Sequence, residues 1–264
     1  MTLLAERATR TTFEAQCGPR VSYVMATKNR PKELATALEH AKTYLKATDE
    51  LIVISGSAES ADDEIVRAAG GVAVYVREPD QNPAHATNKG VLLASGVYVK
   101  LVPDDDIFHS EGLETVYAAM DADPSLGVLV GGGTKVRQNP PATAICCVPD
   151  GVGYCESIDA FFQYGATGVG TVYRRSVFAL AGLFAPIWLL ADFEHVIRCF
   201  KSGVKVRACR ANTFLHPVYP YSTLEKDKPR VNTEAGELKR IYGASAYIEP
   251  GLRITDPVWD GKVV

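Results

Sequence analysis

The sequence has no apolar run approaching the roughly 18–20 residues that a membrane-spanning helix needs. Its opening stretch, Met1 to Arg20, is polar and mixed in charge. It lacks the roughly 7–15-residue apolar centre of a secretory signal, so a cytoplasmic protein is expected. An excess of basic charge is also missing. With 28 Lys and Arg against 31 Asp and Glu, the net charge is −3, which argues against nucleic acid or an anionic membrane as the main partner. Cysteines are few and scattered: Cys17, Cys146, Cys147, Cys155, Cys199 and Cys209 form no C-x-x-C pair and stand at no zinc-finger spacing from a histidine. Reduced thiols in a reducing compartment are the expectation. There is no internal repeat and no low-complexity tract.

What is present is a chain of 264 residues, 47% apolar and 22% charged, enough for one large α/β domain with an elaborated C-terminal part. Short β-rich apolar runs alternate with segments of helical spacing. Residues 21–25, 51–54, 72–76 and 97–102 read as buried strands; 31–46, 61–69 and 85–95 read as helices, the last closed by Gly96. Pro31 fits the first turn of its helix and Asn29 fits its cap. Gly70-Gly71 ends the next helix. This alternation implies a parallel sheet with helices on its faces. Ligands of such sheets bind beyond the carboxyl ends of the strands, where the sequence puts the polar loops 27–30, 55–57 and 104–106. Later pieces are a helix over 113–120, strands over 127–130 and 170–173, helices over 176–181, 192–201 and 234–242, and an edge or late strand over 205–208. Residues 1–19 read as a flexible arm, 20–217 as the main domain, and 218–264 as an extension serving as a lid or an oligomer contact.

Asp104, Asp105 and Asp106 follow directly on the strand Tyr98 to Val102. Three adjacent carboxylates repel one another and resist desolvation unless something positive is bound. Mg²⁺ typically takes one or two carboxylates together with substrate phosphates. An isolated triplet also fits a solvated turn that caps the next helix. Delivery by a buried strand to the ligand edge favours the cation. Alternation along an extended segment would put Asp104 and Asp106 on one side and Asp105 on the other.

Four stretches resemble glycosyltransferase family 2, whose GT-A fold is a mixed, mostly parallel α/β sheet flanked by helices. Val21-Ser22-Tyr23-Val24-Met25-Ala26-Thr27-Lys28-Asn29-Arg30-Pro31 resembles its opening strand and loop. Asn88-Lys89-Gly90, Ala94, Gly96 and Tyr98 resemble the segment that leads into its D-x-D, here Asp104-Asp105-Asp106. Arg174-Arg175-Ser176-Val177-Phe178 with Gly182-Leu183-Phe184, and Ala191-Asp192-Phe193-Glu194 through Arg198, are similar to two later motifs. The matches keep the family's order across residues 20–217. The resemblance implies a metal-dependent transferase that moves a sugar from a nucleotide-diphosphate sugar to a saccharide, lipid-linked or other hydroxyl acceptor, with Mn²⁺ or Mg²⁺ as cofactor and inversion of the anomeric centre. It implies that Ala26, Thr27, Asn29 and Arg30 line the nucleobase pocket and that Ser55 and Asn88 approach the donor. Asp104 would face the ribose. Asp105 and Asp106 would hold the metal, with His216 completing its shell, and Asp192 would be the general base.

The chain departs from the pattern at Lys28, where an aromatic is usual, and at Ser55, where an aspartate is usual. Thr87 and Ala191 replace an arginine and a glutamate. Asp192 also suits a helix cap, with Glu194 as an alternative base, and His216 also suits ordinary packing. Trp188 and the aromatic stretches 151–154 and 161–165 are candidate acceptor surfaces. Two other readings stand beside the transferase: a catalytically silent nucleotide- or sugar-binding module, and a nucleotidyltransferase. The latter would want a glycine-rich basic first loop, which Thr27 to Pro31 is not.

Overall fold

The computed structural model describes residues 18–137, 143–146, 168–219 and 226–243. The chain runs β1 (Val21–Thr27), α1 (Pro31–Ala41), β2 (Glu50–Ser55), α2 (Ala61–Ala69), β3 (Val74–Arg77), α3 (Pro83–Leu93) and β4 (Tyr98–Leu101). It continues through β5 (Ile107–Phe108), α4 (Ser110–Ala122), β6 (Leu126–Arg137), β7 (Thr143–Cys146), a 3-10 turn (Gly168–Gly170) and β8 (Thr171–Arg174). The described part ends with α5 (Val177–Ala181), α6 (Ala191–Lys201), β9 (Lys205–Val218) and α7 (Lys228–Tyr242). The strands lie in one sheet, ordered β3-β2-β1-β4-β8-β6-β9-β5 with β7 against β6. From β3 to β4 every pairing is parallel. β8 is antiparallel to both its neighbours, and β9 runs parallel to β6.

Period-two alternation in β1 and β2 builds both faces of this sheet. Val24, Ile52 and Ile54 join Val91 of α3, Val177 of α5, Val196 and Ile197 of α6, and Val231 and Leu238 of α7 on one face. Tyr23, Met25, Leu51 and Val53 join Leu34 and Leu38 of α1 and Leu113, Val116 and Tyr117 of α4 on the other. Each fully buried side chain of this size contributes about 1.5–3 kcal/mol. Burial on both faces explains why the strands read as continuous apolar runs. The fold is the expected mixed α/β sheet flanked by helices.

Several boundaries differ from the sequence reading. α1 stops at Ala41 rather than 46: Thr43 Oγ1 donates to His40 O at 2.8 Å, a side-chain bond that competes with the helical ladder. α3 starts at Pro83, capped by Asn82 Oδ1, which accepts from His85 N at 2.9 Å. It ends at Leu93, since Ala94 is already extended and Gly96 N donates to Ser22 Oγ in β1. α4 and α7 are longer at their N-termini than expected. Over 205–208 β9 pairs with β6 alone, as the edge reading expects, but the strand is longer than expected: it runs to Val218, with β5 on its other side at Phe214 and Leu215, so the segment from 218 onward begins as the last residue of β9.

Candidate active site

The carboxyl ends of β1, β2, β4 and β9 converge, as the connectivity predicts. Thr27 closes β1, and its hydroxyl donates to Asp104 Oδ2 at 2.6 Å. Asn29 then turns the chain with φ of 56°, a left-handed conformation that asparagine tolerates. Its N–H donates to Ser57 Oγ at 2.8 Å, joining the loops after β1 and β2. Arg30 stands at the N-cap of α1 and reaches across to the acidic triplet. Nη1 donates to Asp104 Oδ1 at 2.6 Å and Nη2 to Asp105 Oδ2 at 2.9 Å. Burial raises the Asp104 carboxyl to about 6, against the opposing pull of Thr27 and Arg30.

The triplet does not alternate as an extended strand would. The backbone turns at Asp104-Asp105. Asp104 and Asp105 therefore share Arg30, while Asp106 is turned toward His216. The two-residue strand β5 sets that pairing. It runs antiparallel to β9 with Ile107 opposite Leu215 and Phe108 opposite Phe214, so the next step back places Asp106 against His216. His216 Nδ1 donates to Asp106 Oδ1. Burial raises the Asp106 carboxyl above the usual carboxylate range, and His216 opposes the shift.

Among the described residues, no three or more His, Cys, Asp or Glu side chains stand together as a metal cage. The donor chemistry nonetheless fits a cation that completes its shell from a diphosphate. Asp106 Oδ2 is buried with no hydrogen-bond partner, and the Asp105 carboxylate is the most exposed of the three beside it.

Asp192 lies in the first turn of α6, but it is not the cap, since Leu190 holds that position. Its Oδ1 accepts from Phe193 N at 2.9 Å and its Oδ2 from Gly168 N at 3.1 Å. Desolvation raises its carboxyl, while these N–H groups and the charge of Lys135 oppose the rise. Lys135 pairs in register with His216 across β6 and β9, which brings Asp192 to the same end of the sheet as the acidic triplet. Glu194 is engaged by other partners. Its Oε1 accepts from Arg198 Nε and Tyr242 Oη, both at 2.6 Å, in the seam between α6 and α7.

Some expected residues are committed elsewhere. Ser55 Oγ donates to the buried Asp62 at 2.6 Å, so a carboxylate does stand behind β2, supplied from α2. The Asn88 side chain exchanges two hydrogen bonds with the Phe184 backbone, at 2.7 and 2.9 Å. Ala26 is partly exposed and packs on the core. Lys28 pairs with Asp80 at 3.1 Å across Gly56. Trp188 is half-buried near the start of α6, and residues 151–154 and 161–165 lie outside the described residues.

One buried group was not anticipated. Lys100, central in β4, is fully buried. It donates to the carbonyls of Val169 and Thr171 and lies 4.9 Å from the Phe108 ring centre. Desolvation lowers its ammonium to about 7, with Asp106 opposing. A lysine inside an otherwise apolar strand was the available sequence signal. Lys100 joins the strand that carries Asp106 to the turn that holds Asp192.

The model of the family "Glycosyl transferase family 2" matches residues 22–179. Comparison with curated proteins finds no match. Among solved structures, mannosyltransferase PcManGT from Pyrobaculum calidifontis, in complex with GDP-Man and Mn²⁺, is similar with a TM-score of 0.66 at 15% identity, over 90% of this chain and 68% of that one. The S. aureus protein TarS, as a fragment in complex with UDP-GlcNAc, gives 0.61 at 14% identity, over 88% and 68% of the two chains. Glucosyl-3-phosphoglycerate synthase from Mycobacterium tuberculosis, in complex with Mn²⁺, UDP and glucosyl-3-phosphoglycerate, gives 0.59 at 15% identity, over 88% and 83%. The chain spans only 41% of the longer TarS chain. Identities this low speak for the fold. No helix among the described residues is long and apolar enough to cross a membrane.

Proposed function

Since the chain belongs to glycosyl transferase family 2 and is a glycosyltransferase that uses a nucleotide-sugar donor, we propose that it acts as a cation-assisted, inverting enzyme with Asp192 as its base. The observation that carries this reading is the convergence of Asp192 with the Asp104-Asp105-Asp106 turn. Lys100, in the strand that leads to the triplet, donates to the turn that holds Asp192, and Lys135, whose charge acts on Asp192, pairs in register with His216. Two of the similar structures hold Mn²⁺ with a nucleotide or nucleotide sugar, which supports a cation here.

Asp105 and Asp106 are the residues that would hold the cation, with His216 orienting Asp106 through Nδ1. Mn²⁺ or Mg²⁺, when bound, screens the diphosphate and makes it a better leaving group. Thr27 and Arg30 fix Asp104 in place, where it is suited to accept from a ribose hydroxyl. Asn29 and Ser57 close the loops around the base. Asp192 accepts the proton of the acceptor hydroxyl as that oxygen attacks the anomeric carbon. Its N–H partners hold the carboxylate in one orientation, and its burial raises its basicity. A single displacement of this kind inverts the anomeric centre. The acceptor's class is a saccharide, a lipid-linked sugar or another hydroxyl compound. In this reading residues 218–264 shape the acceptor side of the site or an oligomer contact.

A thermal-shift screen of nucleoside diphosphates and their sugars, with and without Mn²⁺, identifies the donor, because preferential binding to the folded state raises the melting point. With that donor, Asp192→Asn is expected to lower kcat by about 10²–10⁴-fold and to leave nucleotide affinity intact. NMR of the product's anomeric proton is expected to show inversion. A retained configuration, or an Asp192→Asn variant as active as the parent, overturns the reading. Donor binding with no turnover across varied acceptors would favour a silent binding module.

A further inference from the structure

We propose that the C-terminal helix α7 sets the geometry of the segment carrying Asp192, with Glu234 as a positioning residue; this rests on the assignment of Asp192 as the base. The start of α6 is a helix terminus whose backbone N–H groups need acceptors. Leu190, at the cap position, has no side chain that can accept. Glu234, from 44 positions further along the chain, holds the cap residue and the one before it: its Oε2 accepts from Leu190 N at 2.9 Å and from Leu189 N at 2.6 Å. The carboxylate is buried, and its other oxygen accepts from Arg230 Nε at 2.8 Å. Arg230 in turn donates to Ile187 O at 3.4 Å. A charged acceptor on N–H donors makes bonds roughly twice as strong as neutral ones, and a negative charge at a helix N-terminus is favourable.

The same segment is also held by α3 and its cap. Asn88 exchanges two hydrogen bonds with the Phe184 backbone, and Asn82 Nδ2 donates to Pro186 O. Side chains from two separate helices thus fix the backbone at 184, 186, 187, 189 and 190. Asp192 follows two residues after the last of these.

Docking and orientation reside in different side chains of α7. Val231 and Leu238 bury the helix against the core. That apolar contact would hold α7 without dictating where the N–H groups of Leu189 and Leu190 point. The buried carboxylate supplies direction.

The experiment compares Glu234→Ala, Glu234→Gln and Leu238→Ala in the full chain. Hydrogen exchange is read over residues 186–192, together with nucleotide affinity, kcat, acceptor KM and the pH profile of kcat. Glu234→Ala is expected to lose protection at 186–192 and to lower kcat by about tenfold to a hundredfold, the scale of a 1 Å misplacement. The acid limb of its pH profile should shift, and nucleotide affinity should hold. Glu234→Gln keeps an acceptor oxygen and should recover most of the loss. Protection that survives in Glu234→Ala overturns the proposal, whatever the sugar chemistry. So does an unchanged kcat, or a Leu238→Ala variant with the same loss and the same shifted pH profile. Failure of the base assignment has a separate signature: Asp192→Asn stays active while Glu234→Ala still loosens 186–192.

Discussion

Replacing Gly168 by alanine tests the placement of Asp192 by geometry alone. A Cβ at position 168 would lie 2.2 Å from Asp192 Oδ2 and 2.9 Å from its Cβ and Cγ. Ordinary contact begins near 3.4 Å, so relief of the overlap requires a movement of about 3.4 − 2.2 = 1.2 Å. Gly168 does not have positive φ, so alanine brings no backbone strain and the clash is the whole perturbation. The 168–170 turn cannot retreat easily, because Lys100 anchors the Val169 carbonyl and a Cβ at the neighbouring Gly170 would meet Gly131 O at 2.3 Å. The carboxylate therefore moves, and its bond from Gly168 N is lost or stretched. Misplacement on this scale costs about 10²-fold in rate. Overpacking adds about 1–3 kcal/mol of destabilisation. The assay is steady-state transfer with the identified donor, alongside nucleotide affinity by calorimetry. Kd for the nucleotide should stay within about twofold while kcat falls. A Gly168→Ala enzyme with parental kcat would show that Asp192 is not held against this turn during catalysis.

Three further outcomes follow from the buried charges and close contacts. The folded chain holds Lys100 at about 7 against an ordinary value near 10.5, so between those pH values the unfolded chain binds more protons and stability rises with pH. Relative to Lys100→Met, the parent should therefore gain about 2 kcal/mol between pH 7 and 9, read by urea unfolding at each pH; parallel behaviour of the two proteins would refute the lowered titration of Lys100. Arg30→Ala removes the cation shared by Asp104 and Asp105, so the Asp104 titration should move above its present value of about 6, followed by carboxyl ¹³C shifts; no movement would place Arg30 elsewhere in solution. Gly112→Ala would set a Cβ 1.8 Å from Asn212 O, where α4 crosses β9, and should cost at least about 1–3 kcal/mol, seen as a fall in Tm of several degrees.

The parallel half of the sheet was legible because its strands are short, apolar on both faces and separated by helices with clear apolar spacing. The loops 27–30, 55–57 and 104–106 followed from connectivity. What stayed hidden is non-local or too short to show a period. β5 has two residues and carries no periodic signal, yet it pairs Asp106 with His216. β9 reads as only four residues because Arg210, Asn212 and Thr213 interrupt its apolar pattern; pairing with β6, with register shifts around them, carries the strand through. The commitment of Ser55 to Asp62 and of Asn88 to Phe184 depends on side-chain partners from other elements. The family resemblance named these positions without showing what they touch. Glu234 lay in a helix recognised only in part, and nothing local marks its reach to Leu189 and Leu190.

The tie between Asp106 and His216 joins positions 110 residues apart. Loop closure over such a distance comes late in folding, after local helices and the early β-α units are in place. During synthesis, the first hundred residues can therefore build the nucleotide-facing loops well before the last strand leaves the ribosome. Until that strand inserts, Asp106 lacks its histidine and β6 is open along the side that β9 will cover. A chain cut short before residue 205 would keep much of the donor-side framework and yet carry an unfinished acidic turn and a bare sheet edge, open to pairing with another molecule.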